Sequence, residues 1–115
     1  MYAEIKLNTA HGEERTVPML ATASTPIRYK MIFGKDLMTG LISTVGDSVE
    51  SMVDVVSELA FLMAQQAAKV DLTTLDKNKY IEWLDEFDSA AFINNSDKIF
   101  NVYISSRNNT SKAKK

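Results

Sequence analysis

The fold is decided by the sequence at residues 48–69, which reads SVESMVDVVSELAFLMAQQAAK. Its apolar residues recur at spacings of three and four, which is typical of one face of an α-helix. That face consists of Val49, Met52, Val53, Val56, Leu59, Ala60, Met63, Ala64 and Ala67. Asp47 and Glu50 have the spacing of a capping box, which places the helix start near Ser48. Because Phe61 and Leu62 lie off this face, the second half is apolar nearly all round, and it is predicted to be central in the fold or buried in an oligomer.

A shorter helix is predicted before it, between Thr25 and Gly34. Thr25 and Pro26 are residue types favoured at the N-cap and at the first helical position, and Gly34 suits a left-handed C-cap. The apolar face of this helix is predicted to consist of Ile27, Met31 and Ile32. A further apolar turn, interrupted by Gly40, is predicted from Leu37, Met38, Leu41 and Ile42.

Two extended segments precede these helices. Ala3, Ile5 and Leu7 alternate with polar residues, which predicts a half-buried strand. Residues 16–21 form a second extended run, in which Pro18 favours an edge position because proline has no backbone donor. A hairpin formed by these two runs is marginal in water on its own. It is therefore expected to lie on the helices or to pair with another copy of the chain, and the sequence leaves both arrangements open.

Two more helices are predicted after the long one. The first begins near Asp76 and is broken by Asn94 and Asn95, and Ser96 caps the second. Their apolar faces are Tyr80, Trp83, Leu84 and Phe87 in the first, and Ile99, Phe100 and Tyr103 in the second. The whole pattern predicts a predominantly α, α+β fold, with an N-terminal β-hairpin or short strands followed by about four helices, one of them long and central.

The length of 115 residues fits one domain, predicted at residues 1–106, followed by a flexible basic tail at residues 107–115. Four of the 13 basic residues and none of the 15 acidic ones lie in that tail, so the rest of the chain is acidic. An acidic body argues against binding to a nucleic-acid backbone. No apolar run approaches the roughly 18 residues of a membrane-spanning helix, and the N-terminus lacks a signal-peptide pattern.

Residues that carry chemistry are sparse. Cysteine is absent, and His11 is the only histidine, so a zinc site or a histidine acid/base pair is not expected. The four glycines are widely spaced and form no phosphate-binding loop. The sequence therefore predicts a non-enzymatic protein with no catalytic residues, no metal and no cofactor.

Three carboxylates, Glu50, Asp54 and Glu58, recur every four residues along one side of the long helix. Like charges at this spacing disfavour a helix by about 0.2–0.5 kcal/mol per pair. One interpretation is a solvated face that the helix tolerates. The other is an acidic stripe that meets a basic partner or the basic face of a neighbouring subunit, formed by Arg28, Lys30 and Lys35.

Three patterns in order carry a family resemblance: ATASTPIRYKMIFGKDL at residues 21–37, ELAFLMA at residues 58–64 and IEWLDEF at residues 81–87. With their spacing, they resemble the small tail assembly chaperones of long-tailed bacteriophages and prophages. The resemblance covers most of residues 15–104, and none of the three patterns is by itself a chemical signature.

The resemblance implies a chaperone that binds the tape measure protein and keeps it soluble until the tail tube polymerises around it. Such proteins act in the cytoplasm of the bacterial host and are not kept in the mature virion. In many of them, a programmed frameshift adds a C-terminal domain to a minority of chains, so this chain would be the short form. The resemblance implies as further partners that frameshift-extended form, the tail tube protein and other copies of the chain.

A holding chaperone needs an adaptable apolar surface rather than a catalytic centre. The second half of the long helix is predicted to supply it, either as a client groove or as an interface between copies. The predicted protein-binding residues are Leu59, Phe61, Leu62, Met63, Glu50, Asp54 and Glu58.

Two other functions stay open. The first is a small structural or adaptor protein of the same phage tail module, which would remain in purified particles. The second is a regulator that binds nucleic acid through the basic tail. The acidic body and the lack of a basic recognition helix argue against this second function.

Overall fold

The computed structural model describes residues 2–37 and 49–112, with side chains for residues 2–37 and 53–105. This part of the chain contains one two-stranded antiparallel sheet and five α-helices, which confirms a mixed α+β fold that is mostly helical. The elements are β1 (Tyr2–Asn8), β2 (Glu14–Leu20), α1 (Thr25–Phe33), α2 (Val49–Ala67), a 3₁₀ turn (Leu72–Thr74), α3 (Lys77–Leu84), α4 (Ala91–Asn94) and α5 (Ser96–Lys112).

β1 and β2 form a hairpin within one chain. The register runs from Tyr2 opposite Leu20 to Asn8 opposite Glu14. Alternation places one face of the hairpin on the core, and the side chains buried there are Ile5, Leu7, Val17 and Met19. The hairpin lies on the helices, which is the first of the two predicted arrangements.

A third stretch of chain lies beside the end of β1. Thr9 and Phe87 form an antiparallel bridge. The amide of Asp88 donates to the carbonyl of Asn8 at 2.9 Å, and the amide of Ala10 donates to the carbonyl of Glu86 at 3.0 Å. The segment after α3 therefore extends the sheet at the outer side of β1.

α2 is the central element of the fold. All ten residues from Val55 to Ala64 are buried. β2 packs along α2, and α1, α3, α4 and α5 also contact it. Burial on all sides explains why residues 59–64 are apolar nearly all round, and the central position is the first of the two predicted for this helix.

α1 differs from the prediction in its N-cap residue and in the face that it buries. Ser24, not Thr25, is its N-cap, while Gly34 is the predicted left-handed C-cap with φ of 70°. Its buried residues are Thr25, Tyr29 and Phe33. The predicted apolar face is wrong for Ile27 and Met31, which are 63% and 75% exposed.

The helix predicted from Asp76 to Asn94 is shorter in the structure. Asp76 is its N-cap and accepts from the amide of Lys79 at 2.9 Å, but α3 ends at Leu84. The prediction of its end was wrong because the chain turns to bring Phe87 into the core and its neighbours onto the hairpin. Phe87 packs against Trp83 and Phe92 with ring centroids 4.8 and 5.6 Å away.

α5 has the predicted inward face. Ile99 and Tyr103 are buried, and Phe100 is partly buried. Its backbone stays helical to Lys112, so the first part of the predicted flexible tail continues this helix, and residues 113–115 lie outside the described chain.

Leu37 is fully buried. The rest of the turn predicted around Gly40, and the predicted helix cap at Asp47, lie outside the described residues.

Candidate functional site

The four apolar residues predicted to bind a client lie in the core. Leu59, Phe61, Leu62 and Met63 are each exposed by 1% or less. Phe61 is surrounded by the rings of Phe33, Tyr80 and Trp83. In this conformation these side chains stabilise the fold and offer no surface to a partner. Client binding through them stays a prediction that would require the fold to open.

The predicted acidic stripe is not a continuous surface. Glu58 is only 8% exposed, whereas Asp54 is exposed, and the side chain of Glu50 lies outside the described part of the chain. The carboxylate of Glu58 accepts from the Tyr29 hydroxyl at 2.6 Å and from Lys35 Nζ at 2.9 and 3.0 Å. A lysine predicted to face a neighbouring subunit therefore neutralises Glu58 within the same chain.

The Tyr29 phenol is held in its neutral form. Burial, and then the hydrogen bond to the Glu58 carboxylate, raise the pKa of Tyr29 above its usual value. Burial and the charge of Glu58 also raise the pKa of Tyr80. Both phenols thus contribute to the core as uncharged groups at neutral pH.

A second polar network fixes the other end of α1. The Thr25 hydroxyl donates to Gln66 Oε1 at 2.9 Å and accepts from the Thr22 amide at 2.8 Å. Gln66 Nε2 donates to the Thr22 hydroxyl at 3.1 Å. These buried groups satisfy one another, which is the condition for burying them without a large free-energy cost.

The two networks determine which side of α1 faces out. Thr25 and Tyr29 are one helical turn apart and both bond to α2, so the opposite side of α1 faces solvent. That side contains a shallow hollow of about 450 Å³. We call this surface the α1 patch; its residues are Pro26, Ile27, Lys30, Met31 and Asp36.

The α1 patch continues toward the 3₁₀ turn. A second, small hollow of about 30 Å³ lies between Met31 and Ile32 on α1 and Leu72 on the turn. This surface is not predicted from the sequence, because Ile27 and Met31 have the spacing of a buried helix face. Thr25, Tyr29 and Phe33 have the same spacing on another face of the helix, and two of them are aromatic. That pattern indicates a second possible buried face, which would leave Ile27 and Met31 exposed.

A polar hollow of about 640 Å³ lies at the hairpin turn. Its charged lining includes Arg15 and Glu86, whose side chains form an ion pair at 2.6 Å. The Arg15 guanidinium also lies 5.2 Å from the centre of the Phe87 ring. These contacts link β2 to the segment after α3, so the hollow is the outer side of a structural junction.

No group of histidine, aspartate and glutamate side chains suited to a metal ion occurs in the described residues. None of the helices in that part of the chain combines the length and apolar character needed to cross a membrane. No family model, curated protein or solved structure matches this chain.

Proposed function

We propose that this protein is a non-enzymatic tail assembly chaperone of a long-tailed phage or prophage. It binds the tape measure protein and keeps it soluble before the tail tube assembles. It does so in the cytoplasm of the bacterial host and does not stay in the virion. The proposal starts from the three sequence patterns that resemble this family.

The single observation that supports it most is the α1 patch. The patch lies in residues 21–37, the longest of the three patterns, and exposes two large apolar side chains one helical turn apart. Ile27 and Met31 form the i and i+4 spacing that packs against an apolar stripe of another helix. A tape measure protein, as a long helical chain with exposed apolar faces, presents such stripes.

The side chains of the α1 patch also suit a variable client. Met31 is flexible and polarizable, so it adapts to different apolar contours. Lys30 is exposed beside it and can reach acidic residues that flank an apolar stripe.

The size of the patch determines how it would work. Full burial of Ile27 and Met31 contributes at most about 3–6 kcal/mol, from which the entropy cost of association is subtracted. One copy therefore binds weakly. Several copies that are joined to one another would hold one long client more tightly, because each bound copy raises the effective concentration of its joined neighbour at the next site.

Co-expression tests the proposal. The long helical protein encoded nearest downstream is produced with and without this chain, and its soluble yield is measured. The proposal predicts that its solubility depends on this chain and that the two co-purify. A long protein that is equally soluble alone, or that never co-purifies, would contradict it. Finding this chain in purified particles would instead favour a structural or adaptor protein of the tail module.

A further inference from the structure

The outer edge of β1 presents backbone groups that the hairpin does not use. In an antiparallel ladder, successive residues direct their amide and carbonyl alternately toward and away from the partner strand. The carbonyl of Asn8 and the amide of Ala10 bond to the segment after α3, away from β2. Because this direction repeats every second residue, the amides and carbonyls of Lys6 and Glu4, two and four residues before Asn8, also point away from β2.

The same alternation places a proline at the outer edge of β2, where it blocks further strand pairing. Pro18 lies opposite Glu4, so its backbone also faces outward, on the far side of β2. Proline has no amide hydrogen, and its ring obstructs a further strand there. The edge of β2 is thus protected, while no such residue occurs on β1.

The open part of the β1 edge is short. Beyond Lys6, the carbonyl of Asn8 already accepts from Asp88. Within the described chain, no hydrogen bond from outside the hairpin reaches the backbone of Glu4 or Lys6. A strand edge with unpaired amides and carbonyls is a template for another strand.

The charges on this edge are self-complementary. Two copies of β1 can pair antiparallel about a twofold axis, and the residue on the axis sets which side chains oppose each other. With Ile5 on the axis, Glu4 of each copy lies opposite Lys6 of the other, and both residues have the outward backbone groups that such pairing needs. With Glu4 on the axis, two like charges would oppose each other, which is unfavourable.

The present contacts of these side chains leave them free to rearrange. Lys6 Nζ is 3.9 Å from Glu14 in an ion pair that is mostly exposed. Glu4 accepts from the exposed Tyr2 hydroxyl at 3.1 Å. Neither contact contributes much in water, so a cross-strand partner can replace it.

We propose that the open part of the β1 edge, from Glu4 to Lys6, binds the same residues of a second copy of this chain, with Ile5 on the twofold axis, to form a four-stranded antiparallel sheet. The pairing joins the buried faces of the two hairpins into one layer. It uses a surface remote in sequence from the α1 patch and does not depend on the chaperone function.

Charge exchange tests the pairing and its register together. Glu4→Lys alone, or Lys6→Glu alone, places like charges opposite each other twice per dimer. Each is expected to raise the dimer dissociation constant about tenfold or more. The double variant Glu4→Lys/Lys6→Glu restores opposite charges and is expected to dimerise like the original chain. Sedimentation velocity measures the constants, and circular dichroism checks that each variant folds.

Disulfide formation provides a second test, since the chain has no cysteine of its own. Opposed residues in such a pair have Cα atoms about 5.5 Å apart, within the range of a disulfide, whereas diagonal neighbours lie beyond it. Mixing Glu4→Cys and Lys6→Cys chains should therefore give a disulfide-linked heterodimer, while each variant alone should give none. A chain that stays monomeric at the highest concentration reached, or a double variant as impaired as the single ones, would overturn the proposal.

Discussion

At the scale of single residues, Glu58 is the side chain on which the docking of α1 depends most. It is nearly buried, and it joins a tyrosine of α1 and Lys35 to the central helix. Lys35 is half exposed and can return to water if the carboxylate is lost. The Tyr29 hydroxyl is buried and cannot reach water, so loss of Glu58 would leave this hydroxyl without its acceptor.

Glu58→Gln is therefore expected to lower the free energy of unfolding by about 1–3 kcal/mol, because a charge-assisted hydrogen bond and the lysine ion pair are both weakened. Asp54→Asn, one turn earlier on the same helix and exposed, is the matched control and should stay within about 0.5 kcal/mol. Urea denaturation measures both. Equal effects of the two substitutions would mean that Glu58 has no special role in the fold.

The buried tyrosines make the free energy of unfolding depend on pH in the alkaline range. The pKa of Tyr29 is raised in the folded protein, so the neutral phenol is favoured there. Its contribution is complete below the ordinary tyrosine pKa of about 10 and is lost as the pH rises above that value. Stability should thus fall above about pH 10, and Tyr29→Phe should make the fall shallower. Denaturation curves at several alkaline pH values check this, and identical slopes for both proteins would contradict it.

At the scale of elements, α1 ends at a residue whose left-handed backbone conformation favours glycine. Gly34 has φ of 70°, and its amide donates to the carbonyl of Lys30 at 2.8 Å. A Cβ added there would meet nothing within 4 Å. The cost of a side chain at this position is therefore conformational and not steric.

Gly34→Ala is expected to destabilise the protein by about 1 kcal/mol, the usual cost of a left-handed conformation in an alanine. Gly34→Asn should cost less, because asparagine tolerates this conformation. Thermal or urea denaturation of the two variants gives the comparison. Asparagine as costly as alanine would show that contacts, rather than backbone strain, determine the effect.

The elements that could be predicted from the sequence are those with one unambiguous period. Ile5 and Leu7 alternate with charged residues, and the repeat along α2 extends over five turns, so both were identified with bounds close to those observed. α1 has two competing stripes, and the periodicity favoured the wrong one. Buried hydroxyl, amide and carboxylate groups fixed its orientation, and such pairings depend on tertiary contacts that a local pattern does not contain.

At the scale of the whole molecule, the core is built around α2, and the surfaces left for partners lie at its periphery. The apolar residues predicted for client binding, such as Phe61, are buried beneath five other elements. Burial accounts for their apolar character, and client binding through them stays a prediction. The α1 patch was not predicted, because exposure of an apolar side chain depends on which face of its helix the rest of the fold covers.

We propose that the protein holds a tape measure protein through the α1 patch. The most direct test is co-purification of that client with three forms of the chain: the original, Ile27→Ser/Met31→Ser in the patch, and Val70→Ser/Ile81→Ser as a control with two other exposed apolar residues. The original and the control are expected to retain the client in the soluble fraction, and the patch variant, still folded by circular dichroism, is expected to lose it. A patch variant that retains as much client as the original would show that the α1 patch does not bind the client.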